Sequence, residues 1–138
     1  MARLLAIDYG LKRTGIAVTD SLQLIAQPLT TVATQQLFNF LESYFQHEEV
    51  EKVVVGEPHK MNNTDSETMP YIRQMVSDFQ KRFPQIPITL YDERFTSVLA
   101  HRSMIEGGMK RKKRQDKAVV DKIAACIILE DYLTQIGH

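Results

Sequence analysis

The stretch LLAIDYGLKRTGIAVTD, Leu4 to Asp20, decides the fold. Four apolar residues, Leu4-Leu5-Ala6-Ile7, run directly into Asp8. Gly10 and the cations Lys12 and Arg13 follow, and then a second apolar run, Ile16-Ala17-Val18. Short apolar runs bounded by turn residues read as buried strands, so Arg3 to Ile7 and Thr14 to Thr19 are predicted to form a hairpin with Gly10 in its turn. A buried strand ending on an acid has an ordinary explanation, because Asp accepts hydrogen bonds from nearby backbone N–H groups and closes turns. A different explanation is needed if other strands end the same way.

Downstream, Leu24 to Ala26 is predicted as a short third strand between the Asp20-Ser21 turn and Pro28, at an edge or end of the sheet. From Gln35 to Glu48 the apolar residues Leu37, Phe40, Leu41, Tyr44 and Phe45 recur on one helical face, with Thr34 as the expected cap. Lys52 to Val55 is a β-branched run stopped by Gly56 and Pro58, and a polar loop from His59 to Asp65 follows. Met69, Ile72, Val76, Phe79 and Phe83 mark a second helix face, with Pro70 tolerable in its first turn and Pro84 and Pro87 closing it. Ile88 to Tyr91 is the next strand. Thr96 to Ile105 is predicted as a helix stopped by Gly107-Gly108, and Ala118 to Leu133 as a final, nearly wholly apolar one. Strands separated by helices need crossover connections and lie parallel. The prediction is therefore one α/β domain over residues 1–138, its sheet starting antiparallel and continuing parallel, flanked by helices.

At 138 residues the chain buries enough surface to fold without disulfides or structural metal. Cys126, the single cysteine, lies among apolar neighbours and reads as a core residue, and the four histidines show no paired ligand spacing. No apolar stretch reaches the ~18 residues of a membrane span and the N-terminus has no secretory h-region, so the expectation is a cytoplasmic protein with no membrane contact. Net charge is zero, with 17 Lys+Arg against 17 Asp+Glu, but the cations are clustered in the run Lys110-Arg111-Lys112-Lys113-Arg114.

Three core strands end in acid: Asp8 after LLAI, Glu57 after KVVVG, and Asp92-Glu93 after ITLY. In parallel strands these ends share one edge of the sheet, where open α/β folds place ligand sites. On a helical wheel of ~100° per residue, Asp121 lies within about 80° of Ala118, Ala125, Ile128, Leu129 and Tyr132, so it is expected to point inward. A carboxylate taken out of water must be paired, neutralised or bound to a cation. Lys117, four residues earlier, is one such partner. A divalent ion is the other solution, and oxygen-only ligands favour Mg²⁺ or Mn²⁺, the ions that assist phosphodiester hydrolysis. The run Lys110 to Arg114 suits a polyanionic partner, since phosphate contacts raise affinity without reading sequence, and Lys12 and Arg13 add cations beside Asp8.

Three blocks carry a resemblance that spans the chain nearly end to end: Asp8-Tyr9-Gly10-Leu11-Lys12-Arg13-Thr14-Gly15, Asp92-Glu93-Arg94 followed by Thr96, and Asp121-Lys122-Ile123-Ala124-Ala125. In this order and spacing the sequence resembles the YqgF (RuvX-like) family, described as Holliday-junction resolvases and as nucleases maturing the precursor of small-subunit (16S) ribosomal RNA. The resemblance implies a ribonuclease H-like fold, a hydrolase acting on phosphodiester bonds, and Asp8, Glu93 and Asp121 as metal-binding catalytic acids. Alternation along a strand sends Asp92 and Glu93 to opposite faces, and Glu93 is the favoured ligand. Arg94 is expected to pair with an acid or a phosphate. Where the family carries Gly-Leu-Pro, this chain reads Gly56-Glu57-Pro58, so Glu57 is either a fourth ligand or the partner of Lys60.

The leading expectation is thus a Mg²⁺- or Mn²⁺-dependent nuclease on structured RNA or DNA, with a ribosome precursor as its partner in the RNA case. The alternatives are a resolvase of four-way DNA and a non-catalytic nucleic-acid-binding factor in ribosome assembly. Asp-x-Gly hairpins also open actin-like kinases, but those close two domains over a nucleotide, and neither a Walker-type loop nor Gly-x-Gly-x-x-Gly occurs here. Monomer and homodimer both remain open, a dimer being what symmetric cutting of a junction requires.

Overall fold

The computed structural model describes residues 2–58, 67–93 and 117–136, with backbone alone for 117–121. Strands β1 (Arg3–Asp8), β2 (Arg13–Thr19) and β3 (Ala26–Ala33) come first, then a 3₁₀ turn (Thr34–Gln36), helix α1 (Leu37–His47) and β4 (Val50–Glu57). Helix α2 (Met69–Arg82), β5 (Ile88–Asp92) and helix α3 (Lys117–Gln135) follow. The sheet order is β3-β2-β1-β4-β5. β1 pairs antiparallel with β2 and β2 with β3, whereas β4 lies parallel to both β1 and β5. This is the predicted mixed sheet.

The two faces of the sheet are covered by different helices. Leu5, Ile7, Ile16, Val18, Val53 and Val55 pack on one face against Leu37 and Leu41 of α1 and Met69, Ile72, Met75 and Phe79 of α2. Phe45, Phe79 and Phe83 interlock there, with ring centroids 5.0 to 6.2 Å apart. On the other face the smaller side chains Ala6 and Ala17, with Leu4 and Val54, meet Ala124, Ala125, Ile128, Leu129 and Tyr132 of α3. Because β1 and β4 are buried on both faces, their sequences are continuous apolar runs rather than alternating ones. Each large aliphatic side chain fully buried this way stabilises the fold by about 1.5–3 kcal/mol. Cys126 belongs to the α3 cluster as expected; its thiol, pushed up to about 12 by burial and by the Glu130 carboxylate whose Oε1 lies 3.3 Å away, stays protonated. No described helix is long and apolar enough to cross a membrane.

Two local expectations are corrected. The third strand does not occupy Leu24 to Ala26 but runs from Ala26 to Ala33 and contains Pro28. Pro28 sits opposite Ala17 while Ile16 faces Thr30, so Leu29 is an extra residue in a bulge on the edge strand, where a missing N–H breaks no outer ladder. Leu24 instead belongs to a turn held by Asp20, whose carboxylate accepts the N–H groups of Leu24 at 2.8 Å and Ile25 at 2.9 Å. Finally, Thr34 makes no cap hydrogen bond to α1, which is preceded by the 3₁₀ turn. The predicted helix from Thr96 to Ile105 lies outside the described residues.

Candidate catalytic edge of the sheet

Thr34 is tied to the hairpin of the opening stretch. Its hydroxyl donates to the Gly10 carbonyl at 2.6 Å, so the Thr14 hydroxyl 2.9 Å away donates to it in turn, and the Thr34 N–H reaches the Lys12 carbonyl at 3.0 Å. The turn is too tight for a side chain at Gly10, where a Cβ would run into the Arg13 carbonyl oxygen. These contacts fix the end of β1 on which Asp8 sits. Lys12 is exposed at the tip and Arg13 opens β2, so both cations lie in the same short hairpin as Asp8.

Strand alternation then sorts the acids by face. Leu4 and Ala6 pack against α3, so Asp8, two residues further, belongs to the α3 face, and its cross-strand neighbour there is Gly15, which has no side chain to crowd it. Glu57 follows Val53 and Val55 onto the α1/α2 face, and Asp92 follows Ile88 and Leu90 onto the same face, the two being in register across β4 and β5. Glu93 goes the other way. It lies just past β5, is only 1% exposed, and its carboxyl carbon would be 3.4 Å from a Cβ placed on Gly56. The same Cβ would approach Cδ1 of Ile128 on α3 to 2.6 Å. Gly56 therefore opens the space that the Glu93 carboxyl and α3 share.

The structure thus brings Asp8 and Glu93 to one edge and one face, and sets Glu57 and Asp92 on the opposite face. Position 121 lies in the first turns of α3, one turn before Ala125 on the stripe that packs against the sheet; the Asp121 side chain is outside the described residues. Arg94 and the run Lys110 to Arg114 are outside them as well. Among the described residues no three His, Cys, Asp or Glu side chains form a group that could hold a metal ion. What the described part supplies is two oxygen donors, Asp8 and Glu93, the second packed so closely that a Cβ at position 56 would touch its carboxyl carbon. Such a donor set fits a hard divalent cation. Sequence reasoning took Gly56 only as a strand stop and Thr34 as a cap. A glycine inside a β-branched strand signals close approach of another group, and that signal was there to read.

The family described as "RuvX: Holliday junction resolvase" matches residues 2–135. A protein of Christiangramia forsetii bearing the name "Putative pre-16S rRNA nuclease" is 56% identical over 133 residues, covering 96% of this chain and 98% of the relative. One of the same name from Bacteroides thetaiotaomicron is 57% identical over 133 residues, covering 96% of each. Among solved structures, Thermus thermophilus RuvC in complex with a Holliday junction substrate superposes with a TM-score of 0.55 at 18% identity, over 99% of this chain and 97% of that one. That likeness is one of fold, the ribonuclease H-like arrangement of a mixed sheet between helices.

Proposed function

The chain belongs to the RuvX family, and from that premise we propose that it is a divalent-metal-dependent nuclease of the cytoplasm that hydrolyses phosphodiester bonds in structured nucleic acid, the precursor of 16S ribosomal RNA being its substrate. The observation that carries this reading is the buried Glu93 carboxyl, on the same sheet face as Asp8 and α3 and packed against Gly56. A buried carboxylate on the face it shares with Asp8 is a hard oxygen donor of the kind divalent cations take.

Asp8, Glu93 and Asp121 are the residues that would hold Mg²⁺ or Mn²⁺. Bound there, the ion supplies Lewis-acid polarisation of the phosphate and offsets the charge that builds on it. The protein's part is positional. Asp8 is half-buried at the strand end, within reach of substrate at the edge, while Glu93, packed under Gly56 and Ile128, keeps its place without competing solvent. Lys12 and Arg13 hold the sugar–phosphate backbone beside Asp8, and Arg94 with Lys110, Arg111, Lys112, Lys113 and Arg114 adds sequence-independent attraction.

The test is to incubate the native protein with precursor ribosomal RNA and with a four-way DNA junction, with and without Mg²⁺ or Mn²⁺. Cleavage of the RNA only with metal, reduced at least ~100-fold by Asp8→Asn with affinity largely kept, is the expected result. The family's description favours a second reading, resolution of four-way DNA. It predicts paired, symmetric cuts in the junction by a dimer. If neither substrate is cut, or Asp8→Asn cuts as well as the native protein, the enzyme reading fails, and salt-sensitive binding alone marks a non-catalytic assembly factor.

A further inference from the structure

On the far side of the same sheet edge lies a cavity of about 160 Å³ between the 3₁₀ turn, the start of α1 and the first turns of α2. Its walls are the aromatic rings of Tyr9, Phe38 and Tyr71, and its polar groups come from Gln35, Gln74 and Asp78. The size is informative: cavities of about 150 Å³ hold a single aromatic ring, whereas drug-sized ligands need roughly 300 Å³ or more. Rings on the walls and amide and carboxylate groups among them suit a ligand with a flat π face and a hydrogen-bonding edge. A nucleobase has both. The amide nitrogen of Gln74 donates to Asp78 Oδ1 at 2.9 Å, which fixes both groups relative to one another before a ligand arrives.

Position ties the cavity to the edge. Tyr9 follows Asp8 directly on the chain, with a rise of ~3.3 Å per strand residue, but alternation turns it to the α1/α2 face, where it packs on that cluster. Thr34, another wall residue, is the one locked to Gly10 and Thr14 of the hairpin. A strand of nucleic acid held by Lys12 and Arg13 across this edge would have its backbone at Asp8 on one side and a neighbouring base over the cavity on the other. A base still in a duplex could not enter.

We propose that this cavity is a subsite for one unpaired nucleobase of the nucleic acid whose backbone lies at Asp8 and Glu93. The subsite rests on the nuclease reading for its ligand, and it makes the enzyme prefer single-stranded or bulged positions next to the bond it cuts. Tyr71 is 55% exposed, so its replacement tests the subsite without disturbing the core.

The experiment measures binding of single-stranded oligonucleotides carrying 2-aminopurine at successive positions, in EDTA so that nothing is cut. Native protein is expected to quench 2-aminopurine at one position, and an abasic site there should weaken binding about ten-fold, the range of one base stacked on an aromatic side chain. Tyr71→Phe should keep both effects. Tyr71→Ala should lose both while melting at the native temperature. Equal affinity for base-containing and abasic strands, or an unchanged response in Tyr71→Ala, overturns the subsite. Binding here is read without catalysis, so a native protein that shows the base dependence yet cuts nothing with Mg²⁺ or Mn²⁺ refutes the nuclease and keeps the subsite; one that cuts without base dependence does the reverse.

Discussion

Gly56 and Glu93 are coupled through space that belongs to neither alone. Adding one methyl at 56 brings a Cβ to 2.6 Å from Ile128 Cδ1, inside any real contact, and to 3.4 Å from the Glu93 carboxyl carbon. Ile128 is fully buried, so it can yield only by disturbing its neighbours. Gly56→Ala should therefore destabilise by about 1–3 kcal/mol, as overpacked cores do, and Ile128→Val in the same chain should return part of it. Chemical denaturation of the two single variants and the double variant checks this; strict additivity would mean the two positions do not touch. For Glu93 itself the expectation concerns metal. If Glu93 holds the ion, Mg²⁺ or Mn²⁺ at about a hundred times its dissociation constant should stabilise the native protein by about 2.7 kcal/mol, EDTA should remove the gain, and Glu93→Gln should show little of it. Thermal melts with and without metal read this without any substrate.

The turn between β2 and β3 is specified by one side chain. Asp20 lies below the ordinary carboxylate range because the N–H groups of Ile25, then Leu24, then Leu22 donate to its charged form. A depressed carboxylate contributes stability above its unfolded pKa of about 3.9 and loses it as pH falls through the lower folded value. Protection of the Leu24 and Ile25 amides, measured against the unstructured exchange rate at each pH, should accordingly fall only well below about pH 4, and Asp20→Ala should lack it already at neutral pH. The edge strand that follows explains one error of sequence reading. Pro28 looks like a terminator because it cannot donate to a ladder, yet at the edge of the sheet, beside a bulge, there is no outer ladder to break. α1 and α2 bury the residues their 3.6-residue spacing marks, Leu37 and Leu41 in one and Met69, Ile72 and Phe79 in the other, because one-sided burial is what that spacing encodes.

Over the whole molecule, charge is divided by place rather than by amount. The chain is neutral, yet Asp8 and Glu93 share one edge of the sheet while Lys110 to Arg114 concentrates cations in the stretch of sequence that precedes α3. Nucleic-acid affinity should then fall steeply with salt. Replacing those five residues by Ala should lower the slope of log K against log[salt] by up to ~0.9 for each duplex phosphate they neutralise, with the cutting position unchanged. A slope that does not move would show that the run is only a solvated loop.

The sequence by itself determined the order of elements, the change from antiparallel to parallel pairing, and the family, because apolar periodicity and three short motifs are local properties of the chain. Which acids share a face was legible only as a rule: alternation separates Asp92 from Glu93, but it does not say which of them lies on the face of Asp8. That was decided by the tertiary structure, since the face of each strand is defined only once α3 covers Leu4, Ala6 and Val54 and α1 and α2 cover the other side. The close packing of Glu93 on Gly56, the clasp of Thr34 on the hairpin and the cavity beyond Tyr9 arose the same way. Each depends on residues more than twenty positions apart being packed to within a few ångströms, and no spacing along a single segment records that distance.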